Sequence, residues 1–138
     1  AYNFDNEFDI DFAIQIAILH DTIEDTKANY EQIKAQFGEP IAKAVQALTK
    51  DDKLESKIER MTDSLNRINK LQKEVGIVKI ADRITNLQSP PKHWNIDKIT
   101  NYCEEAKMIS KSLSGKNDYL NKRLESKIQE YESKIKSI

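Results

Sequence analysis

The sequence predicts an all-α protein, and three observations point to that class. Apolar residues recur at spacings of three and four along most of the 138-residue chain, whereas alternation with a period of two is nearly absent. Only three glycines and three prolines occur, which is too few for the many turns of a sandwich or barrel. No apolar run approaches the roughly 20 residues of a membrane span. The length fits one domain, since domains commonly contain about 100–150 residues.

The charge balance and the cysteine content exclude several functional classes. The 22 Lys and Arg residues are matched by 23 Asp and Glu residues, and a net charge of −1 argues against a general binder of nucleic acid or anionic membranes. The isolated glycines argue against a glycine-rich phosphate loop. A single cysteine, Cys103, excludes an intramolecular disulfide and fits a reducing compartment. The acidic start is unlike a signal peptide, so we expect a cytoplasmic protein.

An apolar stretch opens the helical part of the chain. Seven of the eight residues at positions 12–19 are apolar, and charged residues follow them without a turn signal. We therefore predict a buried helix of about Asp11–Asp25. A strand is the weaker alternative, because the stretch continues into charged residues.

Local signals define the next two helices. Asn29 can cap the second predicted helix, with Gln32 at the capping-box position. Gly38 can end that helix, because glycine adopts the conformation that follows a helix C-terminus. Pro40 suits the first turn of a third helix, where its missing N–H has no consequence. The apolar stripe of that helix contains Ile41, Ala44, Val45 and Leu48.

The middle of the chain has a long amphipathic pattern. Apolar residues at spacings of four and three predict one helix with a charged outer face, and they are Leu54, Ile58, Met61, Leu65, Ile68 and Leu71. The pattern continues from Val75 to Leu87. Pro90 and Pro91 then stop it, because neither offers an N–H and each disfavours a helical conformation in the preceding residue.

Two further helices are predicted after the prolines. The first has the apolar residues Ile99, Tyr102, Ala106, Ile109 and Leu113, and Ser114-Gly115 breaks it. The second begins at about Asn117 and has the heptad-like series Leu120, Leu124, Ile128, Tyr131, Ile135 and Ile138. This last helix could pair with another chain. Docking on its own domain is the favoured interpretation, because the series covers fewer than three heptads.

Four ionisable side chains follow the first apolar stretch within six positions, in His20-Asp21-Thr22-Ile23-Glu24-Asp25. On a helix, His20 and Glu24 are four residues apart, as are Asp21 and Asp25, so all four lie on neighbouring rows of one side. Carboxylates placed this way raise one another's pKa unless positive charge compensates, and a bound divalent cation does so. A solvated helix end is the alternative, although acidic residues at a helix C-terminus oppose the macrodipole.

A second polar group lies in Lys79-Ile80-Ala81-Asp82-Arg83-Ile84-Thr85-Asn86. Asp82 and Asn86 are four residues apart on a helix whose other face is apolar. An inward-pointing Asp needs a partner, because a lone buried charge is expensive, and a cation held by the first segment would supply one. The alternative is an exposed polar stripe, or a surface pair of Asp82 with a neighbouring cation worth under about 1 kcal/mol.

Together the two segments resemble the HD metal-dependent phosphohydrolases, most closely the RelA/SpoT-type hydrolases that remove pyrophosphate from the alarmone (p)ppGpp. The resemblance covers roughly residues 11–112. It includes three further segments, which are Phe37-Gly38, Ala47-Leu48-Thr49-Lys50 and Pro90-Pro91-Lys92-His93-Trp94. It implies one helical HD-type domain over residues 1–138 and metal-dependent hydrolysis of a guanosine polyphosphate, with release of pyrophosphate from the 3′ position.

The resemblance also implies roles for the ionisable residues. His20, Asp21 and Asp82 would bind a divalent metal ion, usually Mn²⁺, and carboxylate oxygens with one imidazole suit such an ion. Glu24 and Asp25 match the family's Glu-Asp pair, which would handle the attacking water and its proton.

Contacts to the substrate are implied for residues of the second polar group. Asn86 matches a residue that contacts the nucleotide, and Lys79 and Arg83 could help to hold phosphates, with salt-bridge or solvated roles as alternatives. The expected partner is the nucleotide, without nucleic acid or membrane, and a homo-oligomer could form through the last helix.

One departure from the family concerns a further metal ligand. The family has another His on a helix upstream of the His-Asp doublet, whereas no His precedes His20 here. Either the chain lacks a natural N-terminal part or it is a degenerate member, and His93 is a poor substitute by position. Two alternative functions therefore stay open: a non-catalytic HD remnant that binds a nucleotide or a partner protein, and a helical interaction module.

Overall fold

The structure, a computed structural model, describes residues 8–24, 29–49, 53–88, 90 and 92–137, with the main chain alone for residues 21–24. These residues form seven α-helices and no strand, so the prediction of an all-α protein is confirmed. The helices are α1 (Ile10–Glu24), α2 (Tyr30–Phe37), α3 (Glu39–Leu48), α4 (Lys57–Asn69), α5 (Lys73–Asn86), α6 (Ile96–Ser112) and α7 (Asp118–Lys136). None of the helices in the described ranges is long and apolar enough to cross a membrane.

The described residues fall into two compact units, and the division lies within α5. The first unit is Phe8–Val78, which contains α1 to α4 and the start of α5. The second unit begins at Lys79 and contains the rest of α5 with α6 and α7. The prediction of one domain over residues 1–138 stays a prediction.

The third helix is the centre of the first unit. Helices α1, α2 and α4 each pack against it. Six of its ten residues are buried, and three of those six are alanines, namely Ala42, Ala44 and Ala47. Small side chains allow neighbouring helices to approach closely, so α3 can contact three helices at once.

The first helix is less buried than its sequence predicts. Its bounds agree closely with the predicted Asp11–Asp25, and the strand alternative is wrong. Ala13 and Ile16 are buried, but Ile14 is 51% exposed and Ile18 is 60% exposed. An almost uniformly apolar stretch does not specify which side faces the core, and only one side of α1 packs within the described structure.

The local signals for α2 and α3 are confirmed. The Asn29 side chain accepts a hydrogen bond from the Gln32 N–H at 2.9 Å, and the Gln32 side chain accepts one from the Asn29 N–H at 3.0 Å. Gly38 follows α2 with φ +98°, a conformation that L side chains rarely adopt. Pro40 lies in the first turn of α3.

The predicted helix from Leu54 to Leu71 is wrong at both ends. Helix α4 begins later, because the Ser56 side chain accepts a hydrogen bond from the Glu59 N–H at 3.0 Å and so caps it. It ends at Asn69, and three residues separate it from the start of α5. Ile58, predicted on the apolar face, is 67% exposed because it lies in the first turn on the outer side.

Side chains of α4 complete the C-terminal end of α3. The buried Ser64 hydroxyl donates to the Ala47 carbonyl at 2.6 Å. The Arg67 guanidinium donates to the Gln46 carbonyl at 2.5 Å and to the Thr49 carbonyl at 2.8 Å. The last carbonyls of a helix lack partners within the helix, and α4 supplies them here.

The second unit is built on the packing of α7 against α6. Four residues of the apolar series of α7 are buried, namely Leu120, Leu124, Ile128 and Tyr131. Ile135 is half-buried, and Ile138 lies outside the described residues. Docking of the last helix on its own chain is therefore confirmed. Asn117 and Asn121 join the two helices: Asn121 Nδ2 donates to the Leu113 carbonyl at 3.0 Å, and Asn121 Oδ1 accepts from the Asn117 N–H at 3.0 Å.

Candidate functional site

The predicted ligands of the first segment lie at the C-terminal end of α1. His20 is half-buried in this helix. Asp21 and Glu24 belong to its last turns, and the structure gives their main chain alone. Asp25 lies outside the described residues. The helical geometry places His20 and Glu24 one turn apart, as predicted from their spacing.

The second group occupies the C-terminal half of α5. Asp82 is half-buried, and Asn86, one turn later, is exposed. Buried apolar residues alternate with them on the opposite side, namely Ile80, Ile84 and Leu87. The spacing predicted for Asp82 and Asn86 on one side of a helix is therefore confirmed, and their contact with a metal or nucleotide stays a prediction.

Two cations of α5, Lys79 and Arg83, are buried at 8% and 6% exposure. Arg83 is enclosed by residues of α6. Its Cζ atom lies 4.1 Å from the centroid of the Tyr102 ring, and its Nη2 atom is 4.0 Å from the Glu105 carboxylate. Nη1 also donates to the Tyr102 carbonyl at 3.5 Å. The guanidinium thus has aromatic, carboxylate and carbonyl partners in its own unit.

Three aromatic rings form a cluster centred on Tyr102, the ring on which this guanidinium packs. Trp94 meets Tyr102 edge to face, with ring centroids 5.3 Å apart, and Tyr131 of α7 lies 6.2 Å from Tyr102. The ammonium of Lys98 lies 4.8 Å from the Trp94 ring centroid. Such geometries are favourable beyond simple burial. The cluster packs Trp94, just before α6, against Tyr102 of α6, and it packs Tyr102 against Tyr131 of α7.

Burial controls the ionisation of the phenols in this cluster. Burial raises the pKa of Tyr102; the Arg83 guanidinium lowers it, and the carboxylates of Asp82 and Glu105 raise it further. Burial also raises the pKa of Tyr131, whose hydroxyl is fully enclosed and has no hydrogen-bond partner. Both phenols are therefore protonated at neutral pH, and neither offers a phenolate for catalysis.

The described side chains contain no group of three or more His, Cys, Asp or Glu residues suited to a metal ion. The side chains of Asp21 and Glu24, and the whole of Asp25, are not among those searched. His20 belongs to the first unit and Asp82 to the second. The joint coordination of a metal by His20, Asp21 and Asp82 therefore stays a prediction.

Sequence reasoning missed the partners of Arg83. Tyr102 was predicted only as part of an apolar stripe, and Glu105 was not singled out. One signal was available, because Tyr102 and Glu105 are three residues apart and must share a side of α6. His93, considered as a substitute ligand, is exposed, while Trp94 is half-buried as an anchor of its loop.

Comparison with known families identifies the class of the protein. A family model described as "HD domain" matches residues 4–118. Because this match covers most of the sequence, the chain belongs to the HD-domain family, and the predicted resemblance is confirmed.

Individual relatives carry more specific names. The chain is 34% identical over 116 residues to the guanosine-3′,5′-bis(diphosphate) 3′-pyrophosphohydrolase MESH1 of Danio rerio, which is 81% of this chain and 64% of that protein. It is 31% identical to MESH1 of Homo sapiens over 115 residues, or 80% of this chain and 64% of that protein. The chain therefore spans just under two thirds of the length of these two relatives.

The bacterial and structural comparisons agree with this class. The chain is 39% identical over 75 residues to a guanosine-3′,5′-bis(diphosphate) 3′-pyrophosphohydrolase of Aquifex aeolicus, covering 53% of this chain and 11% of that protein. A solved structure described as a metazoan ortholog of SpoT that hydrolyzes ppGpp superposes with a TM-score of 0.75 at 27% identity. That superposition covers 90% of this chain and 71% of the other, so the helical fold is shared.

Proposed function

We propose that this chain is a metal-dependent hydrolase of (p)ppGpp that releases pyrophosphate from the 3′ position. The observation that carries the proposal is the match to the MESH1 proteins, which are named for this reaction and are 30–34% identical over 80–85% of the chain. The likeness to the solved SpoT ortholog over 90% of the chain supports the same reaction.

The donor set of the predicted ligands fits a divalent metal ion. One imidazole from His20 and carboxylates from Asp21 and Asp82 are ligands that Mn²⁺ accepts, and we propose Mn²⁺ as the ion. When bound, such an ion lowers the pKa of a coordinated water and neutralises charge on a diphosphate. His20 is half-buried at the end of α1, which limits its rotamers and suits a ligand.

The acidic pair after the His-Asp doublet would manage the proton of the attacking water. We assign Glu24 to take this proton as general base and to return it to the leaving oxygen as general acid. Asp25 would orient the same water through a second carboxylate. Both residues follow His20 within little more than one helical turn, which keeps the proton acceptor close to the predicted ligands.

The exposed end of α5 supports a role in substrate binding. Asn86 is exposed one turn after Asp82, so its amide can donate to and accept from a nucleotide without displacing buried neighbours. Binding of a phosphate by Lys79 stays a prediction, because its side chain is only 8% exposed. We assign Arg83 a different role, because its guanidinium is enclosed by Tyr102 and Glu105.

We place this reaction in the cytoplasm, because the free thiol of Cys103 suits a reducing compartment. Self-association through α7 is not needed for the reaction. Most of the apolar series of α7 is already buried in a helix that packs against α6, and none of the predicted catalytic and substrate residues lies within Asp118–Lys136.

The test is pyrophosphate release from ppGpp with and without Mn²⁺, in wild-type protein and in Asp82→Asn. This substitution keeps the shape of the side chain and removes its charge. Because loss of a residue that merely supports a ligand typically costs 10–100-fold, loss of a ligand should lower the rate by at least about 100-fold. Asp97→Asn is the matched control, since Asp97 is exposed in the first turn of α6.

Two results would contradict the proposal. Release that is equally fast in Asp82→Asn removes Asp82 from the metal site. Absence of Mn²⁺-dependent release from folded wild-type protein rejects the activity for this chain and favours a domain that binds nucleotide without hydrolysing it.

A further inference from the structure

Arg83 is enclosed to a degree that is unusual for a cation beside a predicted active site. Its side chain is 7% exposed, and the Glu105 carboxylate that faces it is 21% exposed. Removing an arginine from water is unfavourable unless its donors are satisfied. Here the guanidinium lies on the Tyr102 ring at 4.1 Å, and it has the Tyr102 carbonyl and Glu105 as polar partners.

The Tyr102 ring is itself held in place. Trp94 meets it at an interplanar angle of 70°, and Tyr131 approaches it at 53°. Tyr131 is 2% exposed and comes from α7, while Trp94 comes from the loop before α6. Two segments of the second unit, the loop before α6 and helix α7, therefore hold the ring against which Arg83 packs.

A phosphate-binding role would require Arg83 to leave these partners. Its departure would uncover one face of Tyr102 and remove the guanidinium from beside the partly buried Glu105 carboxylate. Separating a partly buried carboxylate from a neighbouring cation is unfavourable. The geometry therefore favours an arginine that stays on Tyr102 while the nucleotide binds elsewhere.

The position of Arg83 in the sequence gives this anchor a consequence for catalysis. Arg83 follows Asp82 directly and precedes Asn86 by three residues. A side chain that ties α5 to α6 at this point fixes the rotation of α5 about its own axis. The directions of Asp82 and Asn86 then follow from helical geometry.

We propose that Arg83 is a positioning residue that, through Tyr102 and Glu105, sets the direction of Asp82 and Asn86 for catalysis. Its effect on α5 is a property of the fold, whereas its effect on the reaction rests on the function proposed above. The two parts are tested separately.

The first experiment measures amide hydrogen exchange along α5 by mass spectrometry. Arg83→Met keeps the aliphatic stem and removes the guanidinium, so exchange at residues 82–87 should become at least about tenfold faster. Arg83→Lys keeps the charge without the planar group and should give an intermediate rate. Arg123→Met, at an exposed position of α7, is the matched control and should leave α5 unchanged.

The double variant Arg83→Met/Glu105→Gln is a second variant for this test, in case Arg83→Met alone does not fold. It also neutralises the carboxylate that faces the lost guanidinium, and it should show the same faster exchange with α4 unaffected. Trp94, the single tryptophan, checks folding by its fluorescence, because the ring packs against Tyr102. Exchange at residues 82–87 that equals wild type in both variants overturns the proposal.

The second experiment compares kcat and KM for ppGpp with Mn²⁺. A positioning role predicts that Arg83→Met lowers kcat by about tenfold or more through Asp82, while any rise in KM through Asn86 stays smaller than the fall in kcat. A large rise in KM with unchanged kcat would mean direct phosphate binding and would overturn the proposal. If wild-type protein releases no pyrophosphate, the proposed function fails, and the exchange experiment alone decides the role of Arg83.

Discussion

Burial and neighbouring groups, more than residue type, determine the exposure and the pKa of the ionisable side chains in the second unit. Arg83 is buried and packs on the Tyr102 ring, whereas Arg123, also on a helix of this unit, is exposed. Cys103, the neighbour of Tyr102 on α6, is 2% exposed. Burial raises the pKa of its thiol, the ammonium of Lys107 lowers it, and the carboxylates of Glu132 and Glu104 raise it.

The burial of Cys103 gives a prediction on reactivity. The thiolate is the reactive form, so iodoacetamide at pH 8 should modify native protein at least about tenfold more slowly than protein in urea. Because the folded-state pKa is raised, this group favours the fold below its unfolded pKa, and the contribution is lost as pH rises through the folded pKa. The prediction is checked by mass spectrometry over time.

A matched thiol makes this test specific. Asn101→Cys in a Cys103→Ala background places a thiol at an exposed position of the same helix. That thiol should react with iodoacetamide at similar rates in native and unfolded protein. Equal rates for native and unfolded Cys103 would show that the thiol is accessible, contrary to the structure.

Helices were predictable from sequence where the signal was local. The capping box at Asn29 and the glycine after α2 are short-range patterns, and both are present in the structure. The start of α4 was missed because Leu54 continues the apolar spacing, while the Ser56 cap decides the boundary. The periodicity of apolar residues shows which side of a segment is apolar, but it does not show where the first hydrogen-bonded turn of the helix begins.

The side of α1 that is buried could not be predicted from the sequence either, because apolar residues surround this helix almost completely. The structure separates them: Ile16 has no exposed surface, and Ile14 is 51% exposed. Ile16→Ala should lower the free energy of unfolding by about 2–5 kcal/mol, whereas Ile14→Ala should lower it by less than about 1 kcal/mol. Urea unfolding of the two variants measures both values.

The two isoleucines serve as controls for each other, since they are two residues apart on one helix and lose the same atoms. Similar losses of stability would mean that both sides of α1 are packed. In that case the exposure of Ile14 in the structure would be wrong.

At the scale of the whole molecule, the family could be predicted because its residues lie in short segments. His20-Asp21 with Glu24-Asp25, and Asp82 with Asn86, are visible in the linear sequence. Contacts between helices were not predictable in this way. The partners of Arg83 lie 19 and 22 positions away, and only the packing of α5 residues with α6 brings them together.

Binding of a metal should stabilise the whole chain, because a ligand that binds only the folded state raises its stability. At a free Mn²⁺ concentration 100 times the Kd, the gain is about 2.7 kcal/mol. We expect a rise in Tm for wild-type protein and none for His20→Ala. His93→Ala is the control, since His93 is the other histidine and is exposed.

Thermal unfolding followed by circular dichroism measures this effect without any substrate. A rise in Tm that persists in His20→Ala would place the Mn²⁺ ion elsewhere. A rise in Tm that disappears in His93→Ala would mean that His93 binds the ion, contrary to our proposal.

The hydrogen bonds from Ser64 and Arg67 to the end of α3 have a consequence for the order of folding. The carbonyls of Ala47 and Thr49 find their partners only when α4 has formed and docked. An early species that contains α3 without α4 should therefore have a frayed last turn at residues 46–49. The groups that stabilise the end of α3 thus lie 17 to 21 positions further along the chain, and synthesis must pass Arg67 before that turn can become stable.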